Sequence, residues 1–196
     1  MRLNIGAPAL SVGLLWLLAA VPGDCQAFAC KKLNGAKPDE LMRYLQRRPA
    51  PPPQDCTLFA IEQLGFARYE PAVPLLVKYL DYPRPPDPGW WHSHAQDVGY
   101  LYPAANALFG VGKESIPALL RVTASPDSSD LLRMNAGDTI FALYSRDHIE
   151  EGIAVMMRAS RQESDPYSRA HLDDAARYWA SRCPPEHQNA CVAALQ

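Results

Sequence analysis

Three stretches of this chain are worn copies of a single phrase, and a chain that repeats itself at such an interval has few ways to fold. The first copy is Ala60-Ile61-Glu62-Gln63-Leu64-Gly65 followed by Pro71-Ala72-Val73-Pro74-Leu75-Leu76-Val77-Lys78-Tyr79-Leu80. The second is Ala105-Asn106-Ala107-Leu108-Phe109-Gly110 followed by Ser115-Ile116-Pro117-Ala118-Leu119-Leu120-Arg121. The third is Phe141-Ala142-Leu143-Tyr144 followed by Gly152-Ile153-Ala154-Val155-Met156-Met157-Arg158. Pro74 and Pro117 are 43 positions apart, Leu108 and Leu143 are 35, and Leu120 and Met157 are 37, all near the ~40 residues of a two-helix repeat. One helix pair cannot bury its own apolar face, so such units must stack and bury each against the next.

The residues of the first copy define the unit. Asp55 reads as the cap of a helix that carries Phe59, Ile61 and Leu64 and ends near Gly65. Residues 70–80 read as its partner helix, with Val73, Leu76 and Leu80 and then Leu75 and Tyr79 at i, i+3, i+4 spacing. Pro71 falls in the first turn, and Pro74 sits about where a helical amide still lacks a partner, so neither is expected to break it. Ala60, Leu64, Gly65, Pro71, Pro74, Leu75, Leu76 and Leu80 together resemble the HEAT repeat, with its apolar first helix, short glycine turn, and second helix that opens with prolines and runs Leu-Leu-x-x-Leu. The third copy departs from that pattern, since Ala154 replaces the proline and Ser145-Arg146-Asp147 replaces the glycine turn.

The resemblance covers Asp55 to about Ser160. It implies an all-α fold, a short right-handed α-solenoid of three to four helix pairs. Because HEAT arrays are chiefly interaction modules, it also implies a protein or peptide partner held on the concave face. Some HEAT-type proteins, the chromophore lyases and the alkylpurine glycosylases, are enzymes, the latter with a basic DNA groove that this chain lacks.

The ends of the chain frame that array. An uncharged apolar run from Ala9 to Val21, then Pro22-Gly23 and Ala27-Phe28-Ala29, read as a secretory signal peptide over 1–29, cut after Ala27 or Ala29. The run is shorter than the ~20 residues of a spanning helix, so no integral membrane segment is expected after cleavage. The expected localisation is secreted, or periplasmic in a Gram-negative host. Cys25 leaves with the signal, and Asp24 before it does not suit a lipid-modification site, whereas Cys30 follows the small Ala29. Cys30, Cys56, Cys183 and Cys191 remain, an even set for an oxidising compartment. The short interval from Cys183 to Cys191 favours a local bridge, which leaves Cys30 for Cys56; the absence of any Cys-x-x-Cys pair argues against a four-cysteine metal site.

Residues 30–54 read as an N-terminal cap: a helix opened by Pro38-Asp39-Glu40, then the stiff connector Pro49-Ala50-Pro51-Pro52-Pro53. Residues 55–160 hold the repeats. Residues 161–196 read as a C-terminal cap, with Asp165-Pro166 starting a helix through Tyr178 and Trp179, and a last short helix stapled by the proposed bridge. The disulfides are thus expected to reinforce both ends.

An insertion at 81–102 interrupts the repeats, and insertions of this kind project as loops on one face. It carries Trp90, Trp91, Tyr100 and Tyr102, large stiff aromatic groups of the sort that dominate binding interfaces. The alternative is that these rings fold back over the groove between repeats. His92 and His94, with Asp97 or Asp87, have the donor types of a metal site, and they give the rival reading: a metal-dependent hydrolase or a small-ligand carrier. Ser93, His94 and Asp97 have the residue types of a triad, but adjacency in one loop does not supply its geometry. The chain has no Gly-x-Ser-x-Gly, phosphate loop or His-Glu-x-x-His, so no catalytic residue and no cofactor is assigned. Glu150-Glu151 and Asp173-Asp174 read as solvated helix faces, and His148 as a helix N-terminus. A net charge of −2 with scattered Lys and Arg lacks the basic patch that nucleic acid requires.

Overall fold

The computed structural model describes Cys30 and residues 33–47, 54–85, 98–144 and 148–196. The expected signal segment, the proline connector, and Trp90, Trp91, His92, His94, Asp87 and Asp97 lie outside them. The protein is all-α, and the described residues contain no strand.

Helix α1 (Pro38–Gln46) opens as its sequence dictates: Pro38 sits in its first turn, Asp39 and Glu40 follow, and the Lys37 N–H donates to the Glu40 carboxylate at 3.1 Å. It buries Leu41 and Leu45 against the first repeat, and the Tyr79 hydroxyl donates to the Leu45 carbonyl at 3.1 Å. Tyr69 donates in the same way to the Asp39 carboxylate, which raises the Tyr69 pKa.

Helix α2 (Gln54–Phe66) ends one residue past Gly65, near where its end is expected, and holds Asp55, expected as its cap, within its first turn. The chain leaves the helix at Arg68, in the left-handed region with φ 49°. There the Arg68 N–H donates to the Gly65 carbonyl at 3.0 Å and the Tyr69 N–H to the Leu64 carbonyl at 3.1 Å, a Schellman closure that glycine usually makes. Gly65 serves packing instead. A Cβ there would lie 2.5 Å from the Ala107 Cα, and one on Gly110 would lie 2.8 Å from the Gly65 carbonyl oxygen.

The expected helix at 70–80 is a composite. A single α turn, α3 (Val73–Leu76), lies between 3₁₀ segments Glu70–Ala72 and Val77–Tyr79. Pro71 and Pro74 have no N–H for an i→i−4 bond, and the ring of a proline crowds the carbonyl four residues back, which tightens the coil. Its apolar face still goes inward: Ala72, Val73, Leu76 and Leu80 are buried.

Helices α4 (Val98–Leu101) and α5 (Pro103–Val111) follow. Gly112, at φ 104°, then turns the chain into a 3₁₀ segment, Lys113–Ser115, and α6 (Ile116–Ala124). Helix α7 (Asp130–Ala142) is capped by Ser129, whose hydroxyl accepts the Leu132 N–H at 3.2 Å. Helix α8 (Ile149–Gln162) has His148 at its N-cap, and α9 (Pro166–Ala180) is capped by Asp165, which accepts the Ser168 N–H at 2.7 Å. That hydrogen bond holds the Asp165 pKa below its usual value. A 3₁₀ segment, Pro185–His187, leads into α10 (Gln188–Ala194).

Helix α1 packs on α2, α2 on α5, and α5 on α3 and α7. Helix α6 carries both α7 and α9, and α8 packs on α9 and α10. One continuous apolar core runs from Leu41 to Cys191. A buried amide links its two halves: the Asn135 Nδ2 donates to the Leu80 carbonyl at 2.7 Å. Cys30 is bonded to Cys56, with Cα atoms 5.1 Å apart, and Cys183 to Cys191, with Cα atoms 6.4 Å apart. Among the described residues no helix is long and apolar enough to cross a membrane.

Candidate binding site

The base of the 81–102 insertion is fastened to α2 through Arg84. Its Nη2 meets the Glu62 Oε1 at 2.5 Å, its Nε donates to the Tyr100 carbonyl at 3.0 Å, and its guanidinium lies 5.2 Å from the Tyr100 ring centroid. The Arg84 N–H also donates to the Leu101 carbonyl at 2.8 Å. The insertion is therefore not loop throughout, since its last residues form α4 and pack on α5 and α7. Tyr100 belongs to that latch. Tyr102 stands at the N-cap of α5, half-buried against the core. The described members of the aromatic set are thus held by the scaffold, while Trp90 and Trp91 lie outside the described residues.

Among the described residues no three His, Cys, Asp or Glu side chains are gathered as a metal would need. His92, His94 and Asp97 lie outside that set. His148 faces Glu151, with Nδ1 3.7 Å from Oε1, and Lys113 reaches the same carboxylate at 3.8 Å. Asp173, read as part of a solvated face, instead accepts the Ser160 hydroxyl at 2.5 Å and ties α9 to α8.

The structure presents a site that the sequence reading passed over. Beside α9, which packs on α6 and reaches α7 through Trp179, a half-open cleft of about 260 Å³ is walled by Met134 and Gly137 from α7 and by Ala175, Tyr178 and Trp179 from α9. Thr123 closes its floor from α6. Its polar groups are Arg133 and Asp138 on α7 and His171 and Asp174 on α9. The aromatic wall is held in place: the Trp179 ring lies 4.5 Å from that of Phe141, and the Tyr178 ring meets Trp179 edge-on at 5.8 Å. Arg182 covers the other ring, its guanidinium 4.3 Å from the Tyr178 centroid.

Asp138 is the chemical centre of this cleft. Burial pushes its carboxyl up from 3.8 to about 6, against a hydrogen bond from Trp179 and the charge of Arg182, which pull the other way. Arg133 does not neutralise it. The Arg133 guanidinium pairs with Asp130 and donates to the carbonyls of Ser125 (3.2 Å) and Ser128, and so closes the α6–α7 turn. A signal for Asp138 was present in the sequence, since it is the only charged residue between Arg133 and Arg146. Asp174 reads in the sequence as part of a solvated helix face, and it joins the site with His171 because α9 lies beside α7. A second cavity of about 330 Å³, between Pro74 and Val77 on one side and Ala118, Arg121 and Val122 on the other, is more open and is lined by no acid.

Comparison with protein-family profiles, with curated proteins and with solved structures finds no match to this chain.

Proposed function

We propose that this protein is an exported, non-enzymatic docking module, a short HEAT-like array of helix pairs with disulfide-reinforced ends that binds a protein or peptide partner. The observation that carries this reading is the meeting of Gly65 with Gly110. These glycines occupy the same place in two copies of the repeated phrase, and they let the first helices of those copies approach until even a Cβ would collide. Side-by-side packing of equivalent helices is what a stacked array requires. The two disulfides fit an oxidising compartment and, with the apolar N-terminal run, support export. The partner-binding surface combines the concave face with the Trp90 and Trp91 insertion, whose base Arg84 fixes to α2.

Purification from the native host tests this reading. The expected product begins at residue 28 or 30 by N-terminal sequencing and retains a defined protein partner, which Trp90→Ala or Trp91→Ala releases. Stoichiometric zinc, lost when His92 and His94 are both changed to alanine, would replace the docking role with the metal-dependent one.

A further inference from the structure

The cleft between α7 and α9 contains two acids that no salt bridge neutralises. Among the described residues Asp138 has no ion-pair partner within 4.0 Å, and neither has Asp174. The cations nearby are engaged elsewhere: Arg133 by Asp130 and the turn carbonyls, Arg182 by the face of Tyr178. His171 stands one turn before Asp174 on the same helix and is the remaining basic group in the lining. Asp138 is thus a half-buried carboxylate with no salt bridge, opposed only by the Trp179 hydrogen bond and the nearby charge of Arg182. Such desolvated acids are a cost to the fold and gather where a ligand supplies further charge.

We infer that this cleft receives a basic side chain, lysine or arginine, presented by a peptide partner. The hydrocarbon stem lies along Met134, Ala175 and Trp179, and the cationic head meets the Asp138 and Asp174 carboxylates. Three observations select this occupant. The two acids without a salt bridge favour a cation by charge complementarity. A volume of about 260 Å³ lies below the ~300–1,000 Å³ of sites that enclose drug-sized molecules and suits one long side chain. The rim is open, with Met134 52% and Tyr178 44% exposed, and beside the Tyr178 face taken by Arg182 it leaves apolar surface for the backbone and neighbouring residues of a peptide. Trp179 serves twice, its indole N–H holding the Asp138 carboxylate and its ring offering a face to a stem or a cation. This inference rests on the docking function proposed above and gives it a specificity.

The test follows the Trp179 indole N–H resonance of the full mature protein during titration with three probes. These are an N-acetylated, C-amidated tripeptide with lysine between two alanines, its norleucine counterpart, and n-butylammonium. Expected is a shift of that resonance by the lysine peptide, with an affinity about tenfold above that of the norleucine peptide, as a charge-assisted contact provides. Asp138→Asn should erase the preference while the rest of the spectrum stays unchanged, and Asp138→Glu should retain part of it. Equal affinity for lysine and norleucine, or a preference that survives Asp138→Asn, overturns the inference. Binding of n-butylammonium as tight as that of the lysine peptide assigns the cleft to free amines and overturns it as well. Capture of a Trp90-dependent partner with no lysine preference at Trp179 would sink the inference alone; a lysine preference without any captured partner would sink the docking reading alone.

Discussion

The contact between α2 and α5 and the contact between α7 and α9 solve the same problem in opposite ways. At the first, Gly65, Ala107 and Gly110 strip away side chains until backbone lies on backbone. At the second, α9 meets α7 through Trp179 on Phe141 and leaves an opening of about 260 Å³ around a half-buried acid. Close-packed glycine contacts gain dispersion and exclude water, and they leave nothing for a ligand to do. The looser contact forgoes that gain and exposes chemistry. Poor packing around a desolvated charge is a cost to the fold, and the ligand site proposed above would account for it.

The largest expected effect comes from spoiling the tight contact. A Cβ on Gly65 meets the backbone of Ala107, which cannot rotate away, so Gly65→Ala should destabilise the fold by about 3 kcal/mol. For a chain of this size that is about 10 °C in Tm, measurable by thermal denaturation followed by circular dichroism. A loss below ~1 kcal/mol would mean that α2 and α5 separate freely, and the stacked reading would lose its main support.

Asp138→Asn should act in the opposite direction, by about 2 kcal/mol. The Asp138 pKa stands near 6 in the folded protein and near 3.8 in the unfolded chain. Between those values the unfolded chain has released the proton and the folded protein still holds it, so stability falls as pH rises from about 4 to 6 and then stays level. Removing the acid should erase that decline. The variant should therefore match the parent at pH 4 and exceed it at pH 7.5, as judged by urea midpoints at the two pH values. A variant weaker than its parent at pH 7.5 would mark Asp138 as a structural group and the cleft as part of the core.

How much of this was legible beforehand differs between the two contacts for a physical reason. Gly65 and Gly110 stand in a repeated phrase, and repetition is visible in one dimension, so the packing of α2 on α5 could be read from spacing. Their role was misassigned to a turn because a glycine near a helix end has two uses, chain reversal and close approach, and only the crossing with Ala107 distinguishes them. Arg68 took the reversal, against the usual preference for glycine. The segment at 70–80 kept the expected apolar face but not the expected α geometry, because two missing proline N–H groups outweigh periodicity at that length. The cleft was illegible for a deeper reason. Asp138 lies 33 residues before His171 and 36 before Asp174, on another helix, and neither helix alone says that their faces meet.

Arg68 offers the next sharpening. A non-glycine residue at φ 49° carries about 1 kcal/mol of backbone strain, so Arg68→Gly should raise stability by up to that amount. The gain belongs at the end of α2 alone. The lysine preference of the α7–α9 cleft should be untouched, and a change in it would show that the two contacts are coupled.

The smallest effect separates the two kinds of glycine most directly. Gly137 sits inside α7 with ordinary helical φ, and a Cβ there would find only the Met156 Cε, at 3.7 Å, an ordinary contact with the end of a flexible side chain. Nothing steric demands glycine, and a mid-helix glycine costs about 0.5–1 kcal/mol relative to alanine. Gly137→Ala should therefore stabilise the protein by that amount, in the same assay in which Gly65→Ala lowers it. A loss comparable to that of Gly65→Ala would mean that α7 is pressed on its neighbours as hard as α2 is on α5, and the contrast between a sealed contact and an open one would fail. A gain, with the lysine preference intact, would place the discriminating chemistry in Asp138 and the aromatic wall rather than in the bare backbone beside them.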